Sequence, residues 1–141
     1  MGRVINPDSA GKQRTQLMRT VAEVIRHLGQ KQVIDDEAKD MVSLLVYCFR
    51  EIDEGIEASA QAWEKRDYYL KAEELRARWG WAGRMAEELQ QLVFAENWDA
   101  LPGYLLKIVP YISDIKVTKM TRGPEEWFGR YNQLLAERPA L

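Results

Sequence analysis

Cysteine and histidine are almost missing from this chain, which holds one of each, Cys48 and His27. One cysteine excludes an internal disulfide, and the pair together cannot supply a Cys/His zinc site. A di-iron carboxylate bundle needs a Glu-x-x-His on each of two helices, so it is excluded too. Cys48 lies in an apolar helical stretch and reads as a small buried hydrophobe. His27 adjoins an apolar helix face and reads as a packing or surface residue. No glycine-rich phosphate loop is present: "GWAG" (80–83) and "GPEEWFG" (123–129) match neither nucleotide fingerprint. Long hydrophobic runs are also missing. The longest, "MVSLLVYCF" at 41–49, falls well short of the roughly 20 residues of a membrane span. The opening "MGRVINPDSAGKQRTQ" has no apolar stretch of the secretory kind, and Asn6 stands where a myristoylation motif takes Ser or Thr. The expectation is a soluble cytoplasmic protein with no membrane partner.

Proline is absent between residues 8 and 101, and no alternating strand pattern of any weight occurs. What fills that interval is helical periodicity. Residues 1–9 read as a flexible arm with turn chemistry at Asn6-Pro7-Asp8-Ser9. From about residue 10, Leu17, Met18, Val21, Val24, Ile25 and Leu28 mark one buried face of a first helix. Asp35 or Asp36 caps a second, whose core face runs from Ala38, Met41, Val42, Leu45, Cys48, Phe49, Ile52 and Ile56 to Ser59 and Trp63. One helix from 36 to 96 would be roughly 90 Å long, too long for a domain of this size. The apolar stripe changes register within "EKRDYYL" (64–70), which predicts a junction there, with Gly80 as the alternative break. The third stripe is Ala72, Leu75, Trp79, Ala82, Ala86, Leu89 and Val93, widened by Trp81, Met85 and Leu92. Pro102 opens a short helix that Pro110 ends or kinks. "GPEEWFGRYNQLLAERP" predicts one last helix with Trp127, Phe128, Tyr131, Leu134 and Leu135 on its apolar face. The fold class is therefore all-α, read as a single domain over residues 1–141: an antiparallel bundle of three long helices plus one or two shorter C-terminal helices.

The net charge of −2 conceals an asymmetry. Residues 1–31 carry +4 and residues 35–64 carry −7. Adjacent helices in a hairpin with complementary flanks account for both.

Three functional readings arise. Within the acidic segment, Glu51 and Glu54 share a helix face, and Glu64 and Asp67 repeat the spacing. Paired carboxylates on facing helices hold Mg²⁺ for phosphate chemistry. The pattern is similar in outline to the all-α nucleotide pyrophosphatases, which use Glu-x-x-Glu followed by Glu-x-x-Asp. That resemblance implies an Mg²⁺-dependent hydrolase of nucleotides or phosphate esters. The chain departs from the pattern: only nine residues separate its two motifs, and no set of basic residues is placed for a triphosphate. A solvated acidic face is the preferred explanation, and no metal or cofactor is expected.

The second reading is a single-strand nucleic-acid binder built on Arg14, Arg19, Arg26 and the Trp81 region, where Arg76, Arg78 and Arg84 interleave with tryptophans. The pI near 5.5 and the acidic second helix oppose it. Arginines paired with Glu54, Glu57, Glu73 or Glu88 are the plainer expectation.

The third reading rests on five tryptophans, six tyrosines and three phenylalanines. Tyr, Trp and Arg dominate interface hot spots. A protein acting through association, as a homo-oligomer or a protein-binding subunit, is the reading preferred here, with Trp63, Tyr68, Arg78, Trp81 and Met85 as its contact surface. No catalytic residue is assigned.

Overall fold

A computed structural model describes residues 7–140, with side chains from Ser9 onward. The described chain is all-helical: α1 (Pro7–Gln30), α2 (Asp36–Lys65), α3 (Tyr69–Phe94), α4 (Leu101–Ile112), α5 (Pro124–Trp127) and α6 (Arg130–Leu135), with a 3₁₀ turn at Trp98–Ala100 before α4. The first three are the long antiparallel helices, and the shorter ones follow.

Helix α1 starts earlier than its periodicity suggests. Pro7 occupies the first helical position, where its missing N–H costs nothing and its fixed φ suits the helix. Residues 7–9, expected in a flexible arm, are thus helical, and the rest of that arm lies outside the described residues. Asp35 caps α2 as expected, its carboxylate accepting the Ala38 N–H at 2.8 Å. The predicted core face of α2 is buried from Ala38 to Ser59, and Trp63 is half-buried.

The junction between α2 and α3 falls at residues 66–68, inside the predicted window. The Asp67 N–H bonds the Glu64 carbonyl at 2.9 Å and the Tyr68 N–H bonds the Trp63 carbonyl at 3.0 Å. These paired bonds close a helix C-terminus around a left-handed residue, here Asp67 at φ 65°. Helix α3 ends the same way, with Glu96 at φ 52° and bonds from Glu96 to Val93 and from Asn97 to Leu92. Neither stop uses the usual glycine. Gly80 lies inside a continuous α3, so the alternative break does not occur.

The core is a continuous cluster in which Met41, Leu45, Phe49, Ile52 and Leu89 are fully buried. Each such side chain contributes roughly 2 kcal/mol of transfer free energy. Trp81 bridges its layers, edge-on to Phe49 of α2 at 5.8 Å and stacked on Tyr111 of α4 at 4.2 Å. Two tryptophans on one helix are reconciled because α3 is covered by both α2 and α4.

The C-terminal region departs from expectation twice. Helix α4 continues past Pro110 to Ile112, because a proline in the last turn forfeits only one ladder bond. The single predicted last helix is two pieces, since Gly129 at φ 80° reverses the backbone between them. Trp127 is buried, and Phe128 is 85% exposed rather than on the apolar face. Asp40 of α2 restarts the helix by accepting the N–H groups of Gly129 (3.3 Å) and Tyr131 (2.9 Å). Glu137 then ties the C-terminus to α2, accepting from the Tyr47 hydroxyl at 2.6 Å and Arg50 at 2.9 Å.

Candidate binding surfaces

Among the described residues, the basic side chains of α1 do not pair along the acidic flank of α2, and contacts of that kind occur only at the turn, where Lys31 meets Asp35 and Glu37, and His27 approaches Glu37 at 3.8 Å. Arg19 and Arg26 point instead to the segment after α4, donating to the carbonyls of Lys116 (2.7 Å) and Val117 (2.6 Å). At the centre of this contact lies Glu23, whose side chain is fully buried. Its carboxylate accepts from Arg19 Nε at 2.8 Å, from the Thr121 hydroxyl at 2.6 Å, and from the N–H groups of Thr121 and Arg122. Arg122 reaches on to the Thr20 hydroxyl and Gln16. Burial pushes the Glu23 pKa up, but the Thr121 and Arg19 hydrogen bonds and the two backbone N–H groups outweigh it and bring it down to about 2. The network fastens residues 116–122 to α1. Sequence reading missed it, although a glutamate between Ala22 and Val24 in a buried arc was the available signal.

With that segment in place, a cleft opens between the first half of α1, the middle of α3 and the end of α4. Its volume is about 1220 Å³. Lys12, Arg14 and Arg78 line it beside Trp79, Trp81 and Tyr111, over Met18, Leu75 and Ile115. Trp79 and Trp81 lie 5.8 Å apart, and Trp81 stacks on Tyr111, so the rings form a run. The Arg14 guanidinium sits 5.0 Å from the Trp79 ring centroid. Burial, and then the nearby Arg78 cation, lower its pKa. Among the described residues neither Arg14 nor Arg78 makes a salt bridge. Among the described residues Asp114 is the one carboxylate on the lining.

A second surface is the outer side of α4. Leu101, Ile108 and Ile112 are buried, leaving Leu106 70%, Val109 40% and Tyr111 37% exposed. Lys107 is the only charged residue in the helix.

The five residues expected on a contact surface lie in three separate places. Trp81 and Met85 are buried within the chain, the first because Phe49 and Tyr111 enclose it. Trp63 and Tyr68 make an edge-to-face pair at the tip of the α2–α3 hairpin, 5.6 Å apart, with the Lys71 ammonium 4.6 Å from the Trp63 ring. Arg78 is exposed at the cleft, apart from that pair.

The carboxylates are likewise dispersed in role. Glu64 binds Arg76 at 2.7 Å, and Arg76 also holds Glu57 at 2.9 Å. Asp67 closes the end of α2, and Glu51 and Glu54 face solvent. Among the described residues no group of three or more His, Cys, Asp or Glu is arranged to hold a metal ion. Nor is any described helix long and apolar enough to cross a membrane. Comparison with protein-family models, with curated proteins and with solved structures finds no match to the chain.

Proposed function

We propose that this chain acts by association, and that its partner is a second copy docked on the outer face of α4. The observation that carries the reading is the exposure of Leu106 and Val109 on a helix with a single charge. Leu106 and Val109 lie one turn apart on the same helix, beside Pro110 and Tyr111. An apolar helix face meets its own copy across a two-fold axis without needing charge complementarity. The cost of exposing it to water is then removed on both protomers at once.

Size-exclusion chromatography with light scattering tests this directly. The wild-type chain is expected to elute with the mass of a dimer, and Leu106→Glu with that of a monomer at unchanged helicity. A wild-type monomer at high concentration, or a Leu106→Glu chain that still dimerises, overturns the reading.

A further inference from the structure

We infer that the cleft between α1, α3 and α4 binds a phosphate-bearing nucleobase ligand, either a free nucleotide or a segment of single-stranded nucleic acid. The cleft meets the outer face of α4 at Tyr111, which belongs to both, but its cations lie on α1 and α3 and the inference does not rest on self-association.

Two features of the lining support it together. The first is charge without a partner. Lys12, Arg14 and Arg78 line one concavity, and no described carboxylate forms a salt bridge with them. Two guanidiniums held near one another repel, and removal from water adds to the cost. Arg14 registers both effects. An anion placed between them relieves that repulsion, and the planar donor fork of a guanidinium suits a phosphate.

The second is the run of rings. Trp81 packs one face of Tyr111 at 4.2 Å, yet Tyr111 stays 37% exposed at the cleft, which leaves part of it accessible to a stacking partner. Trp79 adds a third ring, 5.8 Å from Trp81 and 5.0 Å from the Arg14 guanidinium. Cations that follow a backbone beside rings that stack bases are the arrangement used for single strands. The volume of about 1220 Å³ exceeds the roughly 300–1,000 Å³ of a typical small-molecule pocket, so a nucleotide fits with room for a neighbour. An acidic peptide would satisfy the cations but leave the rings without planar partners.

The overall acidity of the chain does not oppose this, because the acidic side of α2 lies elsewhere. Glu57 and Glu64 are bound to Arg76, and Asp53 lies against Gly83. Arg78 follows Arg76 by two positions, nearly the opposite side of α3 at about 100° per residue.

The test uses the full chain and its tryptophan fluorescence, titrated at low salt with a short oligothymidylate, with thymidine monophosphate, and with an oligoglutamate of similar charge. The oligothymidylate is expected to bind, quench tryptophan emission, and weaken as salt rises. Saturation by the mononucleotide at similar concentration assigns a nucleotide site; much weaker binding by it assigns a strand. Arg14→Gln and Arg78→Gln are each expected to reduce affinity about tenfold and to flatten the salt dependence. Tyr111→Ala is expected to lower affinity by about tenfold while leaving the salt dependence unchanged. Lys119→Gln, which removes an exposed cation outside the cleft lining, should bind as wild type. Circular dichroism confirms that each variant is folded. Absence of binding overturns the inference. So does binding that the cleft variants leave unchanged, or oligoglutamate binding as tightly with the same sensitivity to Tyr111→Ala.

Discussion

Glu23 and Thr121 stand 98 positions apart and are joined twice, by the Thr121 hydroxyl at 2.6 Å and by its backbone N–H. A carboxylate buried between helix and loop is stabilising only while every partner is in place. Glu23→Ala leaves Arg19 and Arg122 without their anion and two backbone N–H groups without an acceptor. It is expected to cost about 3 kcal/mol in denaturant unfolding. Thr121→Val removes the hydroxyl's bonds to Glu23 and to Arg122 and keeps the backbone bonds, so it should cost less, about 1.5 kcal/mol. Equal losses for the two variants would show that Glu23 is not the hub of the contact.

The same carboxylate sets an acid dependence. Its pKa falls from an ordinary 4.5 to about 2 in the folded chain, so folding favours the ionised form. The stabilisation is complete above the unfolded value and is lost as pH falls through the folded one, a window from about 4.5 down to about 2. Thermal unfolding across that range should show the wild type losing stability more steeply than Glu23→Gln, which has no carboxyl to titrate there. Parallel curves would place the acid sensitivity in other carboxylates.

What the sequence made legible follows from periodicity. Ala38 through Ile56 and Ala72 through Val93 repeat at helical spacing, so their buried faces and the register change near residue 66 could be read directly. Asp35 was legible because a cap is a local signal. The Glu23 network was not, since its partners Thr121 and Arg122 come from a stretch without periodicity. Arg19 and Arg26 read as a basic flank for the acidic second helix, or as phosphate contacts, for the same reason: their acceptors after α4 are backbone carbonyls, which leave no mark in a sequence. The break at Gly129 was hidden because glycine is tolerated within helices, and only the left-handed φ and the Asp40 contact distinguish it. The cleft was half legible. Arg14 and Trp81 were named together, but Tyr111 enters through the position of α4.

Asp67 separates a structural role from a metal-binding one. It holds φ 65° at the end of α2, a region that costs a non-glycine residue about 1 kcal/mol. Asp67→Gly keeps the turn and removes the carboxylate. It is expected to raise the unfolding free energy by up to about 1 kcal/mol, offset in part by the greater freedom of glycine in the unfolded chain. Asp67→Ala keeps the strain and should give no such gain. If the carboxylate itself held the turn, for instance through its 3.5 Å contact with the Tyr69 hydroxyl, Asp67→Gly would destabilise instead.

Gly80 and Gly83 lie one turn apart on α3 and respond to a methyl group in different ways. Beyond its chain neighbours and its own helix backbone, no described residue comes within 4 Å of a Cβ built at Gly80, and the helix is unbroken there. Glycine in a helix interior costs about 1 kcal/mol against alanine, so Gly80→Ala should stabilise by close to that amount. At Gly83 the added Cβ would stand 2.7 Å from Asp53 Oδ1, so Asp53 must move before the same propensity gain is realised. Gly83→Ala is therefore expected to gain less than Gly80→Ala, and Asp53→Ala should restore the difference. A double-mutant cycle isolates that coupling, which should be near zero for Gly80 with Asp53 and clearly non-zero for Gly83 with Asp53. A loss of stability in Gly80→Ala at low protein concentration would contradict the open space beside it. A loss of oligomer with the monomer stabilised would instead mean that a second chain approaches there.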